Sequence, residues 1–136
     1  DRQFDVILAN HVMEHIPDEQ RCLAEMRRCL TDDGLIILTI PYQVGMPKTF
    51  EDATITSEED RTKYFSQKDN VRLYGEDAAA RFARAGFIVQ RMEETIFEDD
   101  VVHTRRLRVI NANGWHNGGC FMLRKRCDAR EGIVVE

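Results

Sequence analysis

The sequence predicts an α/β protein built on a mostly parallel sheet, and three observations carry that prediction. A short apolar run at residues 4–9 (FDVILA) is followed by a helix-length amphipathic stretch and then by a stronger apolar run at residues 35–40 (LIILTI). The joints between these segments are short, the pattern of a βαβ unit, whose two strands lie parallel. The first run does not alternate cleanly between apolar and polar residues, which suggests a strand covered on both faces, and the second is the strongest strand signal in the chain. Such a unit crosses over right-handed and needs helices on both sides of the sheet.

The elements follow in order. Asn10 and His11 close the first strand, and Pro17 with Asp18 opens a helix that runs to about Leu30. Asp18 and Glu19 suit its positive amino end, and Arg27 and Arg28 suit the other. Leu23, Met26 and Leu30 follow helical spacing and should face the core. Residues 31–34 (TDDG) stop this helix, and Pro41 ends the strand that follows. Residues 42–74 break the periodic pattern: they are polar, hold Pro47, and mix charges with Phe50, Tyr64, Phe65 and Tyr74. A segment of this length and character reads as a lid or substrate loop, with Glu58, Glu59 and Asp60 starting a short helix inside it. Residues 75–85 read as another helix, with Ala79, Phe82 and Ala83 inward and Gly86 as its stop. A strand at 87–92 and a last strand at 118–125 complete the set. No helix-length pattern separates these two strands, so antiparallel pairing is expected. Glu98, Asp99 and Asp100 read as a solvated loop; Asn113 and Gly114, with Gly118 and Gly119, read as a turn. Residues 1–126 form one domain and 127–136 a tail, in which 133–135 offer a short strand.

Composition narrows the function. The chain has 136 residues, 43% hydrophobic and 32% charged, with a formal net charge of -5. That suits a single small domain and argues against a nucleic-acid partner, since the 19 Lys and Arg residues are scattered apart from Arg124, Lys125 and Arg126. No run approaches the roughly 20 apolar residues that cross a bilayer, and no signal-peptide pattern opens the chain. A cytoplasmic location and no membrane partner are expected. The first residue is Asp1, which suggests a piece of a longer protein. Cys22, Cys29, Cys120 and Cys127 include no CxxC pair; reduced, buried thiols are favoured over two disulfides, and no metal site is expected.

The strings in these elements carry a family resemblance. Phe4-Asp5-Val6-Ile7 followed by residues 10–18 (NHVMEHIPD) resembles the fourth strand and following turn of class I S-adenosylmethionine-dependent methyltransferases. Residues 23–30 (LAEMRRCL) resemble their next helix, and Asp33-Gly34 the usual Pro-Gly-Gly type turn. Residues 65–75 (FSQKDNVRLYG), Ala85-Gly86-Phe87 and residues 121–125 are similar to small bacterial methyltransferases of the type 11 family. The resemblance covers about nine-tenths of the chain and implies a partial Rossmann-like methyltransferase sheet: the fourth to seventh strands, the last two antiparallel, with flanking helices. It therefore describes the C-terminal half of the domain. The glycine-rich turn after the first strand and the acidic residue of the second strand, which hold the cofactor in the family, have no counterpart here.

The resemblance also implies a site. Asn10, His11 and Val12 would contact the methionine part of S-adenosylmethionine in the intact domain, while this chain alone is expected to bind none tightly. Read from the residues, Asn10 instead caps a turn and His11 is a solvated loop residue. Glu14 and His15 form a constellation with His11. In one branch of the family carboxylates and a histidine hold a divalent metal in this turn, but His11 replaces the first carboxylate and a hard cation prefers oxygen. His15 is the candidate general base and Glu14 a candidate substrate contact, against the reading that both simply shape the turn. Tyr64, Asn70, Arg72 and Tyr74 are candidate substrate contacts. Asn70 stands where relatives carry a histidine and cannot accept a proton near neutrality. Arg72 suits a substrate carboxylate or phosphate, or equally an ion pair with Glu76 or Asp77.

Three functions fit. The first is a fragment of an enzyme that methylates a small-molecule acceptor, inactive by itself. The second is a non-catalytic module that self-associates, as a homodimer or larger assembly, through the exposed edge of the first strand. The third, a nucleotide- or metal-binding protein of another doubly wound family, leaves the quoted strings unexplained. The turn lacks an Asn/Asp-Pro-Pro-aromatic string, which argues against exocyclic nucleobase amines as acceptors.

Overall fold

The computed structural model describes residues 2–92 and 115–126. Strand β1 (Phe4–Asn10) leads through a single 3-10 turn (Met13–His15) into helix α1 (Glu19–Cys29) and strand β2 (Leu30–Gln43). Then come β3 (Phe50–Glu51), α2 (Glu58–Phe65), β4 (Arg72–Leu73), α3 (Ala78–Arg84), β5 (Phe87–Met92) and β6 (Trp115–Lys125). The main sheet has the order β1-β2-β6-β5. β1 and β2 are parallel, whereas β6 runs antiparallel to both β2 and β5. The antiparallel pairing of the last two strands is the one their sequence predicts.

Local chemistry explains most boundaries. The Asp18 carboxylate accepts the Arg21 backbone N–H at 3.0 Å and caps α1, so the helix starts one residue later than Pro17 and Asp18 suggest. Ser57 caps α2 in the same way through Asp60 N. Gly86 stops α3 at φ +88, a conformation that glycine alone adopts without a Cβ penalty.

β2 is longer than its apolar centre. Thr31 to Gly34 do not separate helix from strand; they form an irregularity within the strand, where the register jumps from Phe4↔Leu30 to Val6↔Leu35. Nor does Pro41 end β2. It sits at a second shift, between Ile40↔Gly119 and Tyr42↔His116, where a residue without an N–H breaks the ladder. Gly118 and Gly119 lie in β6 and not in a turn. A Cβ on Gly119 would stand 2.8 Å from Tyr42 Cδ1, so this glycine lets the Tyr42 ring cross the strand.

The core lies on one face of the sheet. Ile36, Leu38, Ile40 and Leu123 are fully buried there with Leu23 of α1 and Phe82 of α3. Phe82 meets Phe121 edge-on at 5.4 Å. Met26 and Ala79 pack at its margin, and Ala78 is buried more deeply than Ala79 or Ala83. The expectation that β1 is covered on both faces is corrected: Phe4, Val6 and Leu8 are 50%, 53% and 65% exposed. Both main-sheet helices contribute to the same core, and no described helix covers the opposite face.

Residues 42–74 are folded against this frame. β3 and β4 pair, Phe50 packs on the buried Phe65 at 5.7 Å, and α2 occupies the acidic stretch as expected. Cys22, Cys29 and Cys120 are free thiols; burial raises the pKa of Cys22, with help from Asp18 and Glu19, and burial also raises that of Cys120. Among the described residues no helix is long and apolar enough to cross a membrane. Residues 98–100, Asn113 with Gly114, and the tail at 127–136 lie outside the described residues.

Candidate functional site

β1 ends at Asn10, opposite Thr39 of the parallel strand β2, and the turn that follows is built on this carboxyl end. His11 N donates to Thr39 O at 2.9 Å, extending the ladder by one residue, and Thr39 Oγ1 donates to Asn10 Oδ1 at 3.4 Å. His11 then turns the chain with φ +50, an unusual conformation for a residue other than glycine. Ligands in open α/β sheets bind outside such strand ends.

The turn gathers titratable side chains. His11 Nδ1 lies 3.3 Å from Glu14 Oε1, and His15 Nε2 lies 3.9 Å from the same oxygen. On the other side of the imidazole, His15 Nδ1 is 3.3 Å from Asp69 O and 3.6 Å from Asp69 Oδ2. The Glu14 side chain is 3% exposed, against 45% for His11 and 31% for His15. A buried carboxylate thus stands between two accessible imidazoles. Glu14 Oε2 and Asn70 Oδ1 have no hydrogen-bond partner among the described residues. Buried acceptors of this kind are uncommon, and a group that enters the site could satisfy them. No group of three or more His, Cys, Asp or Glu side chains among the described residues is arranged to hold a metal ion.

Residues 69–74 hold the turn from behind. Val71 N donates to Glu14 O at 2.9 Å. The Arg72 guanidinium donates to Met13 O at 2.6 Å, Ile16 O at 2.7 Å and Pro17 O at 3.0 Å, and through Nε to Glu51 Oε2 at 3.1 Å. Tyr74 Oη donates to Glu19 Oε1 at 2.6 Å, and Arg81 pairs with Glu19 at 2.7 Å. Burial, reinforced by the Glu19 carboxylate, pushes the Tyr74 phenol well above its ordinary pKa. Burial alone would raise the Glu51 pKa, but hydrogen bonds from Arg72 and Arg81 outweigh it and hold the carboxyl below its usual value. Arg81 is likewise held above its ordinary value: burial lowers it, and the Glu19 and Glu51 carboxylates more than compensate.

The expected site residues therefore divide. Asn10, His11, Val12, Glu14 and His15 come together on the turn, with Val12 37% exposed. Asn70, Arg72 and Tyr74 were expected at the substrate, but the structure buries all three, at 2%, 3% and 1% exposure. Asn70 Nδ2 donates to Phe65 O, and the Arg72 partner is Glu51, not Glu76 or Asp77. Glu76 and Asp77 instead hold the backbone of Gly45 and Thr49. Tyr64 lies on the surface of α2 under Lys63 Nζ, outside the hydrogen-bonded cluster.

Asp69 and Thr39 join the site without having been singled out in the sequence. Thr39 left a signal, as the one polar residue in an apolar run. A separate apolar groove of about 450 Å³ opens along β1 and α1, lined by Phe4, Val6, Ile7, Cys22, Glu25, Met26 and Cys29. It takes no residue from the turn.

Comparison with known proteins agrees with this geometry. The family described as the methyltransferase domain matches residues 1–89. Among solved structures, the YcgJ protein of Bacillus subtilis superposes with a TM-score of 0.55 at 16% identity, covering 93% of this chain and 65% of its own. The Burkholderia thailandensis 1,6-didemethyltoxoflavin-N1-methyltransferase, solved with 1,6-didemethyltoxoflavin and S-adenosylhomocysteine, gives 0.54 at 19%, covering 93% and 46%. An S-adenosylmethionine-dependent methyltransferase of Mesorhizobium loti gives 0.58 at 12%, covering 90% and 62%. The chain spans less than two thirds of each of these structures. Comparison with proteins of curated function gives no match.

Proposed function

The chain belongs to the methyltransferase-domain family and has a partial class I methyltransferase fold, and from that premise we propose that it is the C-terminal half of an enzyme that methylates a small-molecule acceptor. Residues 1–126 form this half-domain, with 42–74 on the substrate side, and residues 127–136 are a tail. One observation carries the reading: the His11–Glu14–His15 cluster stands at the carboxyl end of a parallel strand in a chain matched by this family.

In the intact domain Asn10, His11 and Val12 pack against the methionine portion of S-adenosylmethionine. The exposure of His11 and Val12 fits such a contact, but no glycine-rich turn lies among these residues to cradle the rest of the cofactor. When bound, S-adenosylmethionine supplies a sulfonium methyl group that is already a strong electrophile. The chain's own residues then align the acceptor and take its proton. An Nδ1–H donated to Asp69 O selects the His15 tautomer in which Nε2 accepts that proton. Glu14, buried between the imidazoles, orients the His11 ring through Nδ1 at 3.3 Å and stands ready for a donor group of the substrate. Tyr64 is the remaining surface contact to the acceptor. Asn70, Arg72 and Tyr74 support the turn from below.

The chain by itself is inactive, acts in the cytoplasm, and binds S-adenosylhomocysteine more weakly than about 100 μM, roughly -5.5 kcal/mol. Calorimetry on this chain tests the last point, and tighter binding overturns it. The half-domain reading requires a glycine-rich strand-turn-helix encoded within about 100 residues upstream, the span of a missing half-domain. An upstream coding region without one overturns it.

A second reading is favoured by the exposure of Phe4, Val6 and Leu8 on an edge strand. On this reading the chain is a non-catalytic module that forms a homodimer through the free edge of β1, since an unpaired apolar edge is a template for another strand. A monomer in sedimentation at tens of micromolar, well above the concentrations at which specific dimers dissociate, rejects it.

A further inference from the structure

We infer that Arg72 is a positioning residue for the His11–Glu14–His15 cluster, acting by gathering the carbonyls on either side of Glu14 and His15 onto one guanidinium. The inference rests on the reading of that turn as the site. Met13 O lies immediately before Glu14, and Ile16 O and Pro17 O follow His15; all three accept from Arg72, at 2.6, 2.7 and 3.0 Å. The neighbouring Val71 N takes Glu14 O at 2.9 Å. Residues 71 and 72 thus hold the carbonyls of four of the five residues from Met13 to Pro17. Asp69, two residues earlier, meets the His15 ring itself.

The choice of arginine is chemical. A guanidinium presents donors in a fixed planar fork, so a single side chain satisfies carbonyls pointing in from different directions. A lysine ammonium is a point donor and cannot span them. The fork is aligned in turn by Glu51, which binds Nε at 3.1 Å and also takes Arg81. Glu51 is much more exposed than the Arg72 it aligns, its side chain 43% accessible against 3%. The orientation of the two imidazoles therefore depends on Glu51 and Arg72, residues that touch neither ring. A residue that merely stabilises the fold would loosen the whole molecule. A positioning residue loosens this turn first.

Amide hydrogen exchange on the full chain separates the two. The His15 amide reports on the turn through its bond to Val12 O at 3.0 Å, the Val71 amide reports on the strap, and the amides of β2 report on the core. In Arg72→Lys the His15 and Val71 amides should lose at least about tenfold more protection than the β2 amides, and in Glu51→Gln about threefold more. The ¹⁵N ring signals of His11 and His15 should move in both variants. Ala79→Gly is the control: it weakens α3 without touching the turn, and should lower protection without favouring these sites. Uniform loss of protection with unmoved imidazole signals overturns the inference. If Arg72→Lys fails to fold, Glu51→Gln decides alone, because it leaves Arg72 in place. None of these readouts uses cofactor or methyl transfer, so failure of the functional reading and failure of this inference are distinguishable.

Discussion

The two faces of the main sheet are made from the same kinds of residue and end in opposite environments. On the helix side, Ile36, Leu38, Ile40 and Leu123 are fully buried. On the other side, Val6 pairs with Leu35 and Leu8 with Ile37, yet Val6 and Leu8 stay 53% and 65% exposed, as does Ile88 at 57%. Apolar side chains that reach water on a continuous sheet face mark a surface shaped for burial against something else. The comparison separates where this chain draws its stability from where it has surface to offer. One face makes the core.

The largest expected effect breaks the core face. Leu38→Ala deletes a fully buried side chain between β1 and β6 and should cost about 2–5 kcal/mol in denaturant unfolding. Next comes Gly119→Ala, at the crossing of β6 with Tyr42. Its Cβ would stand 2.8 Å from the Tyr42 ring and 3.3 Å from Ile40 O, and the backbone oxygen cannot rotate away. Overpacking at such a position costs about 1–3 kcal/mol. A Tyr42→Ala background should relieve most of it, because the clash with the ring is then gone.

How much of this was legible depends on the physics that fixed each element. The βαβ unit, α3 and the antiparallel last strands follow from periodicity and capping, which are local. The open face was not legible, because a run such as FDVILA reads as doubly covered whether or not a second layer is present. The two irregularities of β2 escaped for a related reason. Thr31 to Gly34 and Pro41 carry turn and breaker chemistry, but neighbouring strands held the chain extended and absorbed both as register shifts. At the candidate site, the placement of His11, Glu14 and His15 at a strand end was readable from sequence order. The burial of Asn70, Arg72 and Tyr74 was not, since an arginine bound to carbonyls and one bound to a substrate carboxylate look the same in a sequence. Glu51 as its partner lies 21 residues away and required the β3–β4 pairing.

A smaller effect tests the strap that joins the core face to the candidate site. Glu51 is held below its ordinary carboxylate pKa by Arg72 and Arg81. A depressed folded-state pKa adds stability above the unfolded value, and that stability is lost as pH falls through the folded one. The unfolded side chain titrates near the ordinary value of 4.5, so the loss begins there and continues to lower pH. Glu51→Gln should therefore flatten the acid limb of a stability profile recorded between about pH 7 and pH 3. Its cost at neutral pH should stay under about 1 kcal/mol, because the carboxylate is 43% exposed and solvent screens it. An unchanged acid limb would show that the pairing contributes nothing measurable.

The smallest expected effect bears most directly on the comparison. Leu8→Ser removes an apolar side chain that is 65% exposed on the open face, so in a monomer it should change stability by no more than about 0.5 kcal/mol. Leu38→Ala, one strand away on the other face, sets the scale against which that value is read. If Leu8→Ser costs as much as the core substitution, and the cost grows with protein concentration, the open face is covered in solution by another copy of the chain. Stability then depends on mass action, as it does for any interface formed only by the folded state. If the cost is small at every concentration, the exposed row of Phe4, Val6 and Leu8 contributes nothing to this chain alone. That outcome agrees with the half-domain reading, in which a neighbouring part of the intact domain covers this row.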